Sequence, residues 1–154
     1  DERVSSTLIR EALEEAELDK VAVYLNRRYS MSGRVMHGHK RGRELGFPTA
    51  NIRVKNRKTP LKGVFAVTIT LESGLTYTGV SNVGTRPSIE DVTAVLLEAH
   101  LFEFSGDLYG QRVVVSFAKK LRNEKKFDSL EQLKQQISID SEQAKTFFNQ
   151  TRAS

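Results

Sequence analysis

Between residues 33 and 119 the hydrophobic pattern runs with period two, and no helical stretch interrupts it. β-Branched and aromatic side chains cluster at 33–37, 49–54, 64–71, 76–83, 93–102 and 112–119, which predicts six strands. Their connections carry turn residues, Glu72-Ser73-Gly74 and Ser105-Gly106-Asp107 among them. Parallel neighbours would need crossover segments for which there is no room, so the strands are expected to be antiparallel. A small six-stranded sheet loses its exposed edges by closing on itself. The expected fold is therefore mainly β, a six-stranded antiparallel β-barrel.

Helical periodicity flanks this region on both sides. Leu8, Ile9, Ala12, Leu13 and Ala16 share one helical face, with Ser5 or Ser6 placed to cap the first turn. Asp19 is expected to cap a second short helix carrying Val21, Ala22 and Leu25. The pattern breaks at 30–33, which sets a boundary near residue 30. After the strands, Asp128 and Glu131 have capping-box spacing ahead of Leu130, Leu133 and Ile137. Asp140 and Gln143 repeat the signal before Ala144, Phe147 and Phe148. The prediction is a C-terminal helix packed on the barrel, followed by a frayed tail.

Composition narrows the chemistry. The 154 residues suffice for one domain with a core, and no apolar stretch approaches the roughly 18 residues of a membrane span. The absence of cysteine excludes disulfides, thiolate metal sites and a cysteine nucleophile. No charged-then-apolar leader opens the sequence, so a soluble cytoplasmic protein is expected. With 24 Lys and Arg against 19 Asp and Glu, the net charge of +5 favours anionic partners. The excess is concentrated: residues 34–62 hold nine basic side chains and one acid, Glu44. That run is either a docking surface for an anion or a solvated loop face.

Several residues are candidates for chemistry. Gly33 and Gly38 have the five-residue spacing of a Walker loop, but His39-Lys40 follows where Lys-Ser/Thr is required, and a Rossmann loop would need a parallel strand–helix unit. A phosphate here would be held by backbone N–H groups freed at Gly38, Gly42 and Gly46, with basic side chains nearby. Thr49 and Asn51, two apart, present oxygens to one side of an extended strand. Such neutral ligands suit a magnesium ion that arrives with its nucleotide, although Asn51 could equally serve to bond backbone at a strand start. Glu98 lies within Val95-Leu96-Leu97-Glu98-Ala99-His100-Leu101, where a carboxylate is either a general base or the outward residue of an alternating strand. Glu98 and His100 share a face. His37 and His39 lack a third ligand and are read as loop or strand residues.

Taken in order, the motifs of this chain resemble the riboflavin kinase family, most closely the C-terminal kinase module of bacterial bifunctional riboflavin kinase/FMN adenylyltransferases. They are Ser32-Gly33-Arg34-Val35-Met36-His37-Gly38, Leu45-Gly46-Phe47-Pro48-Thr49-Ala50-Asn51-Ile52, Gly63-Val64-Phe65, Asn82-Val83-Gly84-Thr85-Arg86-Pro87, Glu98-Ala99-His100, Asp107-Leu108-Tyr109-Gly110 and Leu121-Arg122-Asn123-Glu124-Lys125-Lys126-Phe127-Asp128. The resemblance implies transfer of the γ-phosphoryl of ATP to the terminal ribityl hydroxyl of riboflavin, giving FMN and ADP. By the same resemblance Thr49 and Asn51 hold magnesium with the nucleotide, and Gly38, Arg43 and Tyr109 contact the nucleotide. Glu98 is then the base, and Arg122, Lys125 and Phe127 cover the flavin.

Ser5-Ser6-Thr7-Leu8-Ile9-Arg10 resembles a nucleotide-binding signature from the end of the adenylyltransferase module. Residues 1–30 are therefore expected to be a helical remnant of that module and linker, with 31–154 as the kinase domain and FMN adenylylation lost. The implied partners are riboflavin/FMN, ATP/ADP and the adenylyltransferase module of a longer chain, with neither nucleic acid nor membrane. Where the family usually has threonine after the glutamate this chain has Ala99, which is expected to face away from Glu98. The alternatives are a basic nucleic-acid-binding barrel, drawn from the 34–62 run, and a flavin-binding module without catalysis.

Overall fold

Alternate side chains of the six predicted runs face one apolar interior in the computed structural model of the chain, which describes residues 6–36, 49–54, 60–86 and 94–153. The strands are β1 (Ser30–Met36), β2 (Ala50–Arg53), β3 (Gly63–Thr70), β4 (Thr76–Arg86), β5 (Ala94–Leu101) and β6 (Arg112–Arg122). They close into a barrel in the order β1-β2-β5-β4-β3-β6, with every neighbouring pair antiparallel. The interior is filled by Val35, Ile52, Phe65, Val67, Ile69, Val83, Leu97, Val113, Val115 and Phe117, all buried. Phe65 and Phe117 meet edge to face at 5.3 Å between ring centroids, an arrangement that fits the aromatic quadrupole.

β1 starts at Ser30, so the break in helical pattern at 30–33 is already strand. The reason is burial: Met31 enters the core, and Ser30 pairs with Ser116 of β6. β6 runs on to Arg122, with register shifts against β3 that keep the pairing going past the apolar segment.

Helix α1 (Ser6–Glu14) buries Ala12 and Leu13, and α2 (Leu18–Leu25) buries Leu18 and Val21. Asp19 does not cap α2. Burial of Leu18 draws the helix start two residues earlier, Glu17 occupies the N-cap position without a side-chain cap bond, and Asp19 lies in the first turn. Its charge there still complements the helix dipole. Asn26 closes the helix in the left-handed region at φ 58°, a conformation Asn tolerates.

The C-terminal helix α3 (Leu130–Ala153) is a single 24-residue element. Its cap is displaced from the predicted box: Ser129 Oγ accepts from the Gln132 backbone N–H at 3.2 Å, and Gln132 Oε1 accepts from the Asp128 N–H at 3.2 Å. Asp140 opens no second helix, and the expected frayed tail is instead helix. Ala144 and Phe148 pack against Ala66 of β3 and Phe102, on the outside of the barrel, which gives the second half of α3 its own apolar contact. Asp140 is 2% exposed and is held by Arg122 at the end of β6. Nε and Nη2 of Arg122 each donate at 2.8 Å to its two carboxylate oxygens, and Gln136 Nε2 adds a third bond at 3.0 Å.

Removing the carboxylate leaves the guanidinium without its partner. Asp140→Ala is expected to destabilise the protein by about 3 kcal/mol, the lower end for a broken buried pair because water reaches part of Arg122. Urea unfolding followed by circular dichroism measures it, and a loss below about 1 kcal/mol would show that the pair is dispensable.

Candidate active site

Residues directly opposite each other on antiparallel strands project to the same side of the sheet. The register therefore assembles a single row across all six strands: Met36 opposite Asn51, Asn51 opposite Glu98, Glu98 opposite Asn82, Asn82 opposite Val64 and Val64 opposite Arg122. Ile52, Leu97 and Val83, one position away, are buried in the interior, so the row lies on the outer face. Glu98 is the outward residue of an alternating strand and is also half-buried beside two carboxamides. Ala99 is 1% exposed and points into the core, away from Glu98 as expected. From the fully buried interior, Ser81 Oγ donates to the Glu98 carbonyl oxygen at 2.9 Å, tying the β5 backbone at the point where the carboxylate emerges.

The connection from β6 to α3 starts at Arg122, the last residue of the row. Arg122 engages three of its nitrogens within the protein, two on Asp140 and Nη1 on the Asn123 carbonyl oxygen at 3.0 Å. Its guanidinium carbon stands 5.8 Å from the centre of the Phe127 ring, and Lys125 Nζ stands 6.0 Å from the same ring. Both distances fall within the roughly 6 Å over which an aromatic quadrupole attracts a cation. The three residues assigned to the flavin cover are thus brought together. Glu124 rests its carboxylate on Gly84: a Cβ at that position would lie 2.6 Å from Oε2, so a larger residue would push the end of the Glu124 side chain away. Gly84 follows Asn82 by two residues on the same face of β4.

Tyr109 sits in a turn braced by β1. Its N–H donates to Asp107 Oδ1 at 2.9 Å, the Gly110 N–H donates to Val35 O at 2.8 Å, and Arg34 Nη1 donates to Gly110 O at 2.7 Å. Gly110 takes φ 82°, which a side chain would resist. Since Met36 pairs with Asn51, Tyr109 stands at the same end of the barrel as Asn51. Thr49 is half-buried immediately before β2. Gly38, Arg43, His37 and His39 lie outside the described residues.

The donors at this end are hard oxygens, the Thr49 hydroxyl, the Asn51 carboxamide and the Glu98 carboxylate. That chemistry fits magnesium, which completes its octahedron with phosphate oxygens and water. A cleft of about 430 Å³ between the start of α2 and β6 contains none of these residues. Its walls mix Glu17 and Asp19 with Lys119 and Lys120, without a convergent acceptor set. Sequence reasoning singled out Asn51 and Glu98 individually, but gave no role to Asn82, Ser81, Gly84 or Glu124. A polar residue at an outward strand position was the available signal for Asn82.

A family model described as Flavokinase, riboflavin kinase, matches residues 25–148. This chain belongs to the riboflavin kinase family. The bifunctional riboflavin kinase/FMN adenylyltransferase of Haemophilus influenzae is 51% identical over 148 residues, covering 96% of this chain and 48% of that protein. The Escherichia coli K12 protein of the same description is 41% identical, with 97% and 48% covered. The chain spans about half the length of the curated relatives it matches. Among solved structures, one described as a macrolide-efflux protein from Streptococcus pneumoniae superposes with a TM-score of 0.81 at 32% identity, over 90% of this chain and 45% of that one. The riboflavin kinase of Trypanosoma brucei shares the fold, with a TM-score of 0.55 at 24% identity over 78% of this chain and 79% of that one. Among the described residues no helix of this riboflavin kinase family member is long and apolar enough to cross a membrane.

If Asn51 serves the nucleotide-bound metal, Asn51→Ala will leave the fold intact and weaken Mg-ADP. Loss of one contact to a charged group, ~1.5–3 kcal/mol, corresponds to roughly ten-fold or more in Kd. Calorimetric titration of wild type and variant measures it, and equal affinities would remove Asn51 from the nucleotide site.

Proposed function

We propose that this chain acts as a riboflavin kinase, moving the γ-phosphoryl of Mg-ATP to the terminal ribityl hydroxyl of riboflavin to give FMN and ADP. The observation that carries the reading is the register that sets Glu98 of β5 directly opposite Asn51 of β2. One residue has the chemistry to take a proton, and the other has the chemistry to hold a magnesium-bound nucleotide. Their adjacency is what an in-line transfer between hydroxyl and γ-phosphate requires.

In this mechanism the hydroxyl oxygen forms a bond to the γ-phosphorus as the bridging oxygen–phosphorus bond to ADP breaks. The Glu98 carboxylate orients the hydroxyl and receives its proton. Thr49 and Asn51 would hold magnesium, which when bound neutralises phosphate charge. Gly38 and Arg43 would close over the phosphates, and Tyr109 would flank the nucleotide from the turn braced by Arg34. Phe127 and Lys125 would cover the flavin ring. Arg122, whose nitrogens are engaged by Asp140 and Asn123, would set the position of that cover. Phosphoryl transfer asks a protein chiefly for positioning and charge neutralisation, both within reach of a small barrel with one covering segment.

We place the kinase domain at 31–154 and read 1–30 as a helical segment that belongs to the adenylyltransferase module and linker. The proposal sets the protein in the cytoplasm and requires neither nucleic acid nor membrane. A positioned base contributes about 10²–10⁴-fold in rate. Because a loose transition state needs little early deprotonation, Glu98→Gln should lose FMN formation in the lower half of that range. Riboflavin binding, followed by flavin fluorescence, should persist. Wild-type turnover in the variant would demote Glu98 to a strand residue, and no FMN from the wild-type chain with riboflavin and Mg-ATP would end the kinase reading.

A further inference from the structure

The Asn82 side chain is the member of the cross-strand row with no assigned role. It stands opposite Glu98 across β4 and β5, on the outer face, at the margin of the apolar patch that α3 covers through Val80. Its Oδ1 is shielded from solvent and makes no hydrogen bond among the described residues. A shielded carbonyl oxygen without a donor is costly to leave unmatched. Its cross-strand neighbour is a carboxylate, which when ionised has only acceptor capacity and cannot supply the missing proton.

The Asn82 carbonyl oxygen and the Glu98 carboxylate thus belong to directly opposed residues, whose Cβ atoms are roughly 4.5–5.5 Å apart. A ligand with two adjacent O–H donors can satisfy both at once. Neighbouring hydroxyls on a sugar-alcohol chain are one carbon–carbon bond apart and can each donate to one of two such side chains. Val64, on the other side of Asn82 in the row, is apolar and has no side-chain donor to offer.

We propose that Asn82 is a substrate-binding residue that accepts a hydrogen bond from the hydroxyl next to the one being phosphorylated, and so makes the site select a polyol chain. The inference rests on the kinase reading above. Glu98 takes the terminal hydroxyl and Asn82 Oδ1 takes its neighbour, which fixes the rotation of the chain about their shared carbon–carbon bond. A substrate lacking the second hydroxyl leaves the buried carbonyl oxygen unsatisfied and the terminal hydroxyl free to rotate away from the γ-phosphate.

The test compares riboflavin with an analogue lacking only the hydroxyl adjacent to the terminal one. Wild type is expected to prefer riboflavin by roughly ten- to a hundred-fold in kcat/KM, as for one unpaired buried acceptor. In Asn82→Ala that preference should fall to within about three-fold, with Mg-ADP affinity unchanged. Asn82→Leu, which keeps the volume, is read in the same comparison in case the alanine variant does not fold. Equal turnover of the two flavins by wild type overturns the proposal without any variant. So does a preference that survives in a folded Asn82 variant, or an effect of the variant confined to Mg-ADP binding. Failure of wild type to phosphorylate riboflavin at all would instead strike the kinase reading, so the two outcomes are distinct.

Discussion

The position of β5 between β2 and β4 is the constraint on which the site depends. Side chains alternate with period two, so a slip of one residue would turn Glu98 into the barrel and expose Leu97 and Ala99. Both of those residues are fully or almost fully buried, and an ionised carboxylate in their place would meet a closed apolar interior. The register is thus enforced from inside by the core. The Ser81 hydroxyl adds a specific tie, since its bond to the Glu98 carbonyl oxygen forms only when β4 and β5 are in step. Packing in the interior and chemistry on the outer face are two readings of the same alternation.

The second half of the site depends on α3. Arg122 spends Nε and Nη2 on a carboxylate that is almost wholly buried and Nη1 on the next residue's carbonyl oxygen. Such a pair contributes less to net stability than its geometry suggests, because both ions lose hydration. Its value is directional: a planar guanidinium held at three points fixes where the chain goes after β6. The segment that follows carries Glu124 onto Gly84 and Phe127 beneath Lys125. A helix docked on the far side of the connection therefore sets the cover, while the barrel sets the row that the cover meets.

Local pattern and long-range structure separate cleanly in particular elements. The six strands were legible because alternation over five or more residues reflects a physical boundary between core and solvent. The helix signals were legible in type but not in detail. Asp19, Asp128 and Asp140 all carry the residue chemistry of a cap, yet Glu17 and Ser129 stand where Asp19 and Asp128 were expected, and Asp140 pairs with Arg122. Capping strengths of about 1 kcal/mol are easily outweighed by burial of one large side chain or by a bidentate ion pair. Asn82 went unassigned for a related reason, since a carboxamide on a strand has no meaning until its cross-strand partner is known.

By itself the sequence determined the mainly β character, the strand count, the helical flanks and the ordered motifs that place the chain among riboflavin kinases, because each of these is written in neighbours along the chain. Which residues meet was decided only by the tertiary structure. Asn51, Glu98 and Asn82 are separated by 47 and 16 positions in sequence yet stand on adjacent strands, and Arg122 reaches Asp140 across the turn into α3. Those meetings follow from barrel closure and pairing register, which are set by the summed packing of the whole interior and not by any local run of residues.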